Sequence, residues 1–358
     1  MPDSSVYAEI DLSALRHNLS VVRRHAFGSR VMAVVKSQAY GHGGVGVAQA
    51  LASGVDALAV ARMEEGRLLR EAGIDCPVVV LEGPVQQADL DLADRLGLEL
   101  TIHHESQLNL LRAHRGGPLA CWLKCDTGMH RLGFSLDHVG GAWSFLSETT
   151  SVEERGVITH LACADDPNDP MTEKQLERMR RACKGLEAEQ SIANSAAIIA
   201  WPDSHADWVR PGLMLYGASP IIGRTAATLD LQPVMTLRAP LIATKTLAKG
   251  DPVGYGASWT APEDMPLGVV GIGYGDGYPR HIGAGAGVLL AGRRVPIVGR
   301  VSMDMITIDL RGVDANVGDS VTLWGEGLPV EEVAEWAGTI PYTLFCGVTE
   351  RVERRYRS

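Results

Sequence analysis

The chain has 358 residues, 46% of them hydrophobic, which is enough for a substantial core and predicts two domains. Its net charge is −10 and its basic residues are dispersed, so we expect no nucleic-acid partner and no anionic-membrane surface. The N-terminal residues "MPDSSVYAEIDLSAL" lack a cationic region followed by an apolar one, and no stretch is long enough to span a bilayer. We therefore expect a cytoplasmic protein.

The cysteines argue against both a disulfide scaffold and a zinc site. They are scattered in apolar contexts without a CxxC pair, so reduced core thiols are expected. His103 and His104 stand beside Glu105, but adjacent residues at a strand end face opposite ways. We expect a solvated loop there and no metal site.

Short runs rich in Val, Leu and Ile alternate with helical-length segments from residue 30 to about 215. Apolar runs without in/out alternation are typical of strands covered on both faces. Segments 62–73 and 171–189 between them are predicted amphipathic helices, the first closed by Gly73. About eight βα units in about 190 residues predict a (β/α)8 TIM-type barrel, an α/β fold, over residues 1–230. The predicted strands are residues 30–35, 55–60, 77–81, 98–102, 119–125, 156–161, 191–194 and 208–217.

After Leu231 the pattern changes to strand-like runs separated by turns. Helical periodicity returns only near "PVEEVAEWAG", so residues 231–358 are predicted to form a mostly-β domain. The basic tail "RVERRYRS" is expected to be a solvated terminus. The runs that predict this domain are 233–247, 268–274, 287–310 and 320–326.

Polar residues stand at the ends of several predicted barrel strands, where the reactive groups of such barrels lie. A partly desolvated lysine such as Lys36 has a lowered pKa and can form a Schiff base. Ser195, Gly212 and Leu213 lie where barrels of this kind commonly bind phosphate. An amine opposite a phosphate-binding cup suggests pyridoxal phosphate as cofactor. The polar residues at strand ends are Lys36, Lys124, Asp126, His160, Asn194 and Ser195, with Arg210 on the last strand.

These motifs resemble those of the fold type III pyridoxal-phosphate enzymes, and specifically the bacterial alanine racemase family. "AVVKSQAYGHG" resembles the lysine motif of the family, "LKCDTGMHRLGF" its arginine segment and "ITHLACADD" its histidine segment. "ANSAA" and "DWVRPGLMLYGASP" resemble the segments that hold the phosphate and the pyridine nitrogen. "PVGYGASW", "GYGDGYPR" and "GRVSMDM" resemble its C-terminal motifs, so the likeness covers nearly the whole chain.

The resemblance implies a two-base racemisation of alanine by a homodimer with shared active sites. Lys36 would hold pyridoxal 5′-phosphate as an internal aldimine and act as one base. Tyr255 from the partner subunit would be the second base, since one face of Cα must lose a proton while the other gains one. The product D-alanine would serve peptidoglycan, that is cell wall biogenesis, or amino-acid catabolism.

The resemblance also assigns the remaining site residues. Arg131 would bind cofactor O3′ or the substrate carboxylate, and Lys124, usually as a carbamate, would orient Arg131. Met303 of the other subunit would bind the substrate through its backbone. His160 would lie beside Tyr255 and contact Arg210, whose guanidinium would face the pyridine nitrogen. Further cofactor contacts are expected from Tyr40, Asn194, Ser195, Gly212 and Leu213. Asp304 would come from the other subunit, and Tyr274, Arg280 and Arg300 would line the entrance.

Two places depart from the family pattern. Ser37 and Gln38 replace the usual Ala-Asn or Ala-Asp after the lysine, and a longer amide there would change how the first loop packs. Glu350 stands where some members have a tyrosine that contacts the phosphate. A carboxylate near a phosphate is repulsive unless it points away, so Glu350 is left out of the predicted site.

The sequence bears on three alternative functions. A racemase that prefers serine or another small amino acid stays open, because one hydroxyl is a small difference in a pocket. A non-catalytic pyridoxal-phosphate-binding protein on the same barrel would usually lack a β domain, and residues 231–358 argue against it. A decarboxylase of the same barrel type would use a cross-subunit cysteine, and "VGYGASW" contains none.

Overall fold

The computed structural model describes residues 5–358. The first four residues of the N-terminal segment on which the expected cytoplasmic location rests, Asp3 among them, lie outside the described residues. None of the helices in this described part is long and apolar enough to cross a membrane.

A closed barrel of eight parallel strands occupies residues 30–210, which confirms the predicted fold class. The first barrel strand pairs in parallel with both the second and the last, and so closes the ring. Strand β1 precedes the barrel as Tyr7–Asp11. The barrel strands β2 to β9 are Arg30–Val34, Ala57–Val60, Val78–Val80, Leu98–Ile102, Leu119–Lys124, Val152–Ile158, Glu189–Asn194 and Trp208–Arg210.

Helices follow the barrel strands and cover their outer face. The segment predicted as a helix over 171–189 is shorter than expected, because its helix ends at Ala182 and strand β8 begins at Glu189. The helices of the barrel region are Leu12–His25, Gly44–Leu51, Met63–Glu71, Gln87–Leu96, Glu105–Ala113, Leu136–Glu148, Met171–Ala182 and Ser195–Ala200, and those of the C-terminal region are Val330–Trp336 and Pro341–Gly347.

Two tryptophans fill the barrel interior. Trp122 and Trp208 are buried and meet edge to face, with ring centroids 5.6 Å apart. Each indole N–H is satisfied by a carboxylate: Trp122 donates to Glu99 at 2.7 Å and Trp208 to Glu189 at 2.8 Å. Both residues therefore pack the barrel, which leaves the polar strand ends for the site.

The C-terminal region is mostly β, as predicted. Strands β10 to β18 are Met235–Leu247, Pro252–Val253, Trp259–Thr260, Met265–Val270, Gly287–Leu290, Arg293–Val298, Ile306–Asp309, Ser320–Trp324 and Glu353–Arg357. The main sheet has the order β13-β16-β15-β14-β17-β10-β1-β18, with an additional pairing of β10 and β13. Strand β1 thus lies in this sheet, so the sheet crosses the predicted boundary after residue 230, and that boundary stays a prediction.

The prediction of a solvated C-terminal tail is wrong. Residues Glu353–Arg357 form strand β18, which pairs in parallel with β1 from Tyr7 to Asp11. Charged partners on β1 compensate the basic side chains of the tail, since Arg357 donates to Asp11 at 2.8 Å and pairs with Glu9 at 2.7 Å. A run of charge can therefore be an edge strand when the neighbouring strand carries the opposite charge.

One smaller expectation is corrected. Cys121, Cys125 and Cys183 are buried thiols, but Cys76 and Cys163 are half-buried and Cys346 is exposed. The expected loop at His103 and His104 is present, and the exposed His104 caps the next helix, because its Nδ1 atom accepts from the backbone N–H of Ser106. Among residues 5–358, no group of three or more His, Cys, Asp or Glu side chains could hold a metal ion.

Candidate active site

Lys36 stands just beyond the end of strand β2 and opens a left-handed turn. The four residues after it, none of them glycine, have φ values of 53°, 55°, 53° and 50°. For L-residues this conformation costs roughly 1–2 kcal/mol per residue, and it persists only where the surroundings enforce it. The turn connects Lys36 with Tyr40, so the backbone strain lies between two predicted cofactor residues.

Side chains from outside the turn hold it in place. The backbone N–H of Ser37 donates to the Glu65 carboxylate at 2.6 Å, and the ring of His42 lies 3.0 Å and 2.9 Å from the carbonyls of Ala39 and Tyr40. Because Nδ1 of His42 faces two acceptors, it carries the proton. Burial lowers the pKa of His42 to about 4, so the ring is neutral. Sequence reasoning missed Glu65, and it gave His42 no role.

The side-chain amide of Gln38, which departs from the family pattern, makes a hydrogen bond. Oε1 of Gln38 accepts from the backbone N–H of Gly44, at 3.1 Å, where the next helix begins. The longer side chain therefore contacts the start of that helix. Glu350 is exposed.

The predicted phosphate-binding residues lie together at the ends of β8 and β9. Oγ of Ser195 accepts from the backbone N–H groups of Gly212 at 2.8 Å and Met214 at 3.3 Å. A Cβ placed on Gly212 would stand 2.6 Å from the hydroxyl of Tyr40, so only glycine fits there without displacing the tyrosine. Asn194 caps the helix Ser195–Ala200 by accepting from a backbone N–H in its first turn. Leu213 is buried at the start of the next turn, Leu213–Tyr216.

Basic side chains converge on the barrel mouth opposite this cup. Burial, reinforced by Arg210 and Arg131, lowers the pKa of Lys124 to about 7. Burial and Arg131 also lower the pKa of Lys36. The pKa of His160 is held well below its usual range by burial and by Arg210. The cationic groups of Lys36, Arg131 and Arg210 are all close enough to Lys124 to lower its pKa, and such a cluster indicates a site that binds anions. A small cavity among them is lined by Lys124, Cys125, Asp126, Met129, Arg131, Leu132, Thr159 and His160.

Arg210 is buried beneath these groups. Its guanidinium donates to the Oγ atom of Ser191 at 2.7 Å and to the carbonyls of Thr159 and Ile192, the latter at 3.4 Å. Its Nη2 atom also lies 3.5 Å from Nδ1 of His160, which is the contact that the family resemblance implies. Burial lowers the pKa of Arg210 to about 9, so it remains a cation at neutral pH.

A buried glutamine that sequence reasoning missed connects two segments of the mouth. Nε2 of Gln175 donates to Oγ1 of Thr127 and to the carbonyl of His160, both at 3.0 Å, while its Oε1 accepts from Ala162 at 2.8 Å. Gln175 lies on the helix Met171–Ala182 and is fully buried. A polar residue on the inner face of an amphipathic helix is the one sequence signal that could have found it.

The predicted site residues of the β domain are at its surface. Tyr255 is 68% exposed and Met303 is 53% exposed. Asp304 pairs with Arg351 at 2.9 Å, and the guanidinium of Arg300 lies against Gly256 beside Tyr255. Tyr274 and Arg280 are also exposed. Within residues 5–358, no hydrogen bond or ion pair joins Tyr255, Met303, Asp304, Tyr274, Arg280 or Arg300 to the barrel-mouth residues.

Two sequence models of protein families match this chain. The model described as "Alanine racemase, N-terminal domain" matches residues 10–220, and the one described as "Alanine racemase, C-terminal domain" matches residues 234–356.

Curated relatives and solved structures agree with these matches. The alanine racemase of Nitrosococcus oceani is 53% identical over 351 residues, covering 97% of this chain and 98% of the relative. That of Halorhodospira halophila is 50% identical over 350 residues, covering 97% and 96%. The crystal structure of biosynthetic alanine racemase from Pseudomonas aeruginosa superposes with a TM-score of 0.96 at 44% identity, covering 99% of this chain and 100% of that one.

Proposed function

The chain belongs to the alanine racemase family, and from that premise we propose that it interconverts L- and D-alanine with pyridoxal 5′-phosphate at the barrel mouth. It is an isomerase, because its curated relatives are alanine racemases that match nearly the full length of the chain. The observation that carries the cofactor assignment is Lys36, an amine of lowered pKa that follows the first barrel strand and opens the turn to Tyr40.

The residues present fit pyridoxal 5′-phosphate. Its dianionic phosphate suits the cup of Tyr40, Ser195, Gly212 and Leu213, where a Cβ on Gly212 would meet the tyrosine hydroxyl. Asn194 holds the helix that presents Ser195. The guanidinium of Arg210 is a donor and stays charged, so it suits an unprotonated ring nitrogen. The positive charges of Arg131 and Arg210, both close enough to Lys124 to lower its pKa, favour an anionic cofactor and substrate.

When bound, the cofactor withdraws electrons from the amino acid and makes its Cα proton more acidic. The chain's own residues move that proton. Nζ of Lys36, with its pKa lowered by burial, exchanges the proton on one face of Cα. The partner subunit's Tyr255 serves the opposite face. His160 is close enough to Arg210 to be held as the neutral imidazole beside that tyrosine.

The other predicted residues bind and orient. Arg131 binds cofactor O3′ or the substrate carboxylate, the partner subunit's Met303 binds the substrate, and Lys124, as a carbamate, holds Arg131. Asp304 pairs with Arg351 and so fixes the segment that carries Met303. Tyr274, Arg280 and Arg300 line the entrance to the site.

We infer a homodimer in which each site is completed by the other subunit. Tyr255, Met303 and Met305 are large apolar side chains that are exposed on one chain, as expected for a surface covered by a second copy. The D-alanine formed would serve cell wall biogenesis or amino-acid catabolism. A preference for serine or another small amino acid is the alternative substrate. The cytoplasmic location stays a prediction.

The test is to incubate the purified protein, loaded with pyridoxal 5′-phosphate, with single L-amino acids and to separate the enantiomers by chiral chromatography. We expect D-alanine from L-alanine, faster than D-serine from L-serine. Borohydride reduction followed by peptide mapping should place the cofactor on Lys36. Faster serine turnover would support the alternative substrate, and a label on Lys124 would contradict the lysine assignment.

A further inference from the structure

The C-terminal strand β18 contacts the loop that follows Lys36. We propose that Arg354 and Tyr356 on this strand are positioning residues of the cofactor site, which hold the left-handed turn and through it Tyr40. The proposal rests on the proposed function where it concerns cofactor retention. Its structural part concerns the turn alone.

Arg354 ties the end of the turn to the β domain through four carbonyls. Its Nε donates to the carbonyl of Gly41 at 3.1 Å. Its two Nη atoms donate to the carbonyls of Thr349 at 2.6 Å, Val352 at 2.7 Å and Val348 at 2.7 Å. One planar guanidinium therefore fixes Gly41 relative to the segment 348–352. A lysine could not reproduce this geometry, because its three N–H donors are on one nitrogen and do not form a planar fork.

Tyr356 packs against the glycines that follow. Its hydroxyl donates to the carbonyl of His42 at 3.3 Å. A Cβ on Gly43 would stand 2.0 Å from that hydroxyl, and a Cβ on Gly46 would stand 2.5 Å from the ring. On the other side of the loop, a Cβ on Gly41 would stand 2.0 Å from the carbonyl oxygen of Phe345. The loop is thus in close contact with the C-terminal residues along its length.

This contact matters because the turn is strained. Four non-glycine residues with positive φ have other backbone conformations open to them as soon as the end of the turn is released. Any such change moves Tyr40 away from Ser195 and Gly212. Strand β18 is a firm support, since all five of its residues pair with β1.

Four variants separate the contact from the general docking of the strand. Arg354→Met removes the donors and keeps much of the side-chain length, while Arg354→Lys keeps the charge without the planar fork. Tyr356→Phe deletes one hydroxyl. The matched control is Arg357→Met on the same strand, because Arg357 bonds Asp11 and Glu9 on β1 and not the loop.

Two measurements are made on each variant. The first is hydrogen–deuterium exchange of the peptide 36–43, in which Gly41 N–H donates to Ser37 and His42 N–H donates to Ala39. This readout needs no cofactor. The second is the dissociation constant of pyridoxal 5′-phosphate, followed by absorbance, with turnover measured at saturating cofactor. A merely structural role in strand docking would change both measurements equally in Arg354→Met and in the control Arg357→Met.

For Arg354→Met we expect exchange in peptide 36–43 at least tenfold faster and cofactor binding at least tenfold weaker, with a smaller change in turnover at saturation. In Tyr356→Phe we expect about threefold faster exchange and about threefold weaker cofactor binding. If Arg354→Met does not fold, Tyr356→Phe is the variant that tests the proposal. Arg354→Lys should resemble Arg354→Met. Unchanged exchange in folded variants, or equal effects in Arg357→Met, would overturn the proposal. A wild-type protein that binds no cofactor would refute the proposed function, and the exchange data would still decide the role of β18.

Discussion

Arg210 and His160 meet at the barrel mouth with 3.5 Å between Nη2 of the arginine and Nδ1 of the histidine. A guanidinium is a donor only, so the nitrogen of His160 that faces it carries no proton. The proton of the neutral imidazole is therefore on Nε2. This places an N–H donor on the far side of the ring, where it can stabilise a neighbouring phenolate.

The first prediction follows from this tautomer. If Nε2–H of His160 supports the phenolate of the partner subunit's Tyr255, then His160→Leu removes a hydrogen bond that stabilises this phenolate. A hydrogen bond to a charged group contributes about 1.5–3 kcal/mol, which corresponds to about one to two pH units. The acidic limb of the kcat/KM profile should move to higher pH by this amount. Both reaction directions must shift together, because the equilibrium constant between mirror images is one.

A matched variant tests the same point. His160→Gln keeps an N–H donor of similar reach and should shift the limb less than His160→Leu does. An unshifted limb in His160→Leu would show that His160 does not support the second base.

The second prediction concerns Lys124. With a pKa of about 7, about half of its amines are neutral at pH 7, and the neutral amine is the form that reacts with CO2. The resulting carbamate would lie near Arg131 and Arg210, whose positive charges lower the pKa of the free amine and would stabilise the anion. We expect lower activity in CO2-depleted buffer and recovery on adding bicarbonate. Lys124→Ala should be insensitive to bicarbonate and should regain activity with a short carboxylate. Full activity without CO2 would contradict the carbamate.

The third prediction tests the phosphate cup. Gly212→Ala would place a Cβ 2.6 Å from the hydroxyl of Tyr40, and the tyrosine must move. We expect pyridoxal 5′-phosphate to bind at least about tenfold more weakly, which equals about 1.4 kcal/mol. In the double variant with Tyr40→Phe the clash is smaller, so the two losses should be less than additive. Additive losses would mean that Gly212 and Tyr40 act independently.

Gly140→Ala is the control for the glycine substitution. Gly140 lies in the helix Leu136–Glu148 and has no heavy atom within 4 Å of an added Cβ. Alanine there should leave cofactor binding unchanged and raise the free energy of unfolding by about 0.5–1 kcal/mol, because glycine loses more backbone freedom on folding. Thermal unfolding measures this gain.

The fourth prediction concerns the two bases. Tyr255→Phe keeps the ring and deletes the hydroxyl, so exchange of the α-proton of L-alanine with deuterated solvent should fall about 10²- to 10⁴-fold. Exchange from D-alanine, which depends on Lys36, should fall far less. Rapid exchange from L-alanine in this variant would refute the assignment.

Shared sites add a further expectation to this prediction. A hybrid dimer of Lys36→Ala and Tyr255→Phe subunits has one intact site, so mixing the two should restore up to about a quarter of wild-type activity. If mixed dimers form without activity, each site is built from one chain.

The barrel could be predicted because most of its strands contain short runs of Val, Leu, Ile and Ala without in/out alternation, as in strands covered on both faces. The strand-end positions of Lys36, Lys124, His160 and Arg210 followed from that pattern. The left-handed turn could not be predicted, because no glycine marks it and its support comes from distant residues such as Glu65 and Arg354.

Strand β18 was missed for a related reason. Its charge density is typical of a solvated terminus, and the acidic residues on β1 that pair with its arginines lie more than three hundred residues away in the sequence. Single-sequence patterns report local periodicity and do not register contacts at that separation.

The position of Arg354 in the chain has a consequence for biosynthesis. The bond from Arg354 to Gly41 spans 313 residues, so the whole barrel leaves the ribosome before its turn after Lys36 receives this support. Contacts between residues so far apart form late in folding, because the chain loses the entropy of loop closure before the contact adds any stability. A nascent chain can therefore complete its barrel while it still holds the cofactor weakly. Firm retention of the cofactor would then mark the last step of maturation, after β1 and β18 have paired.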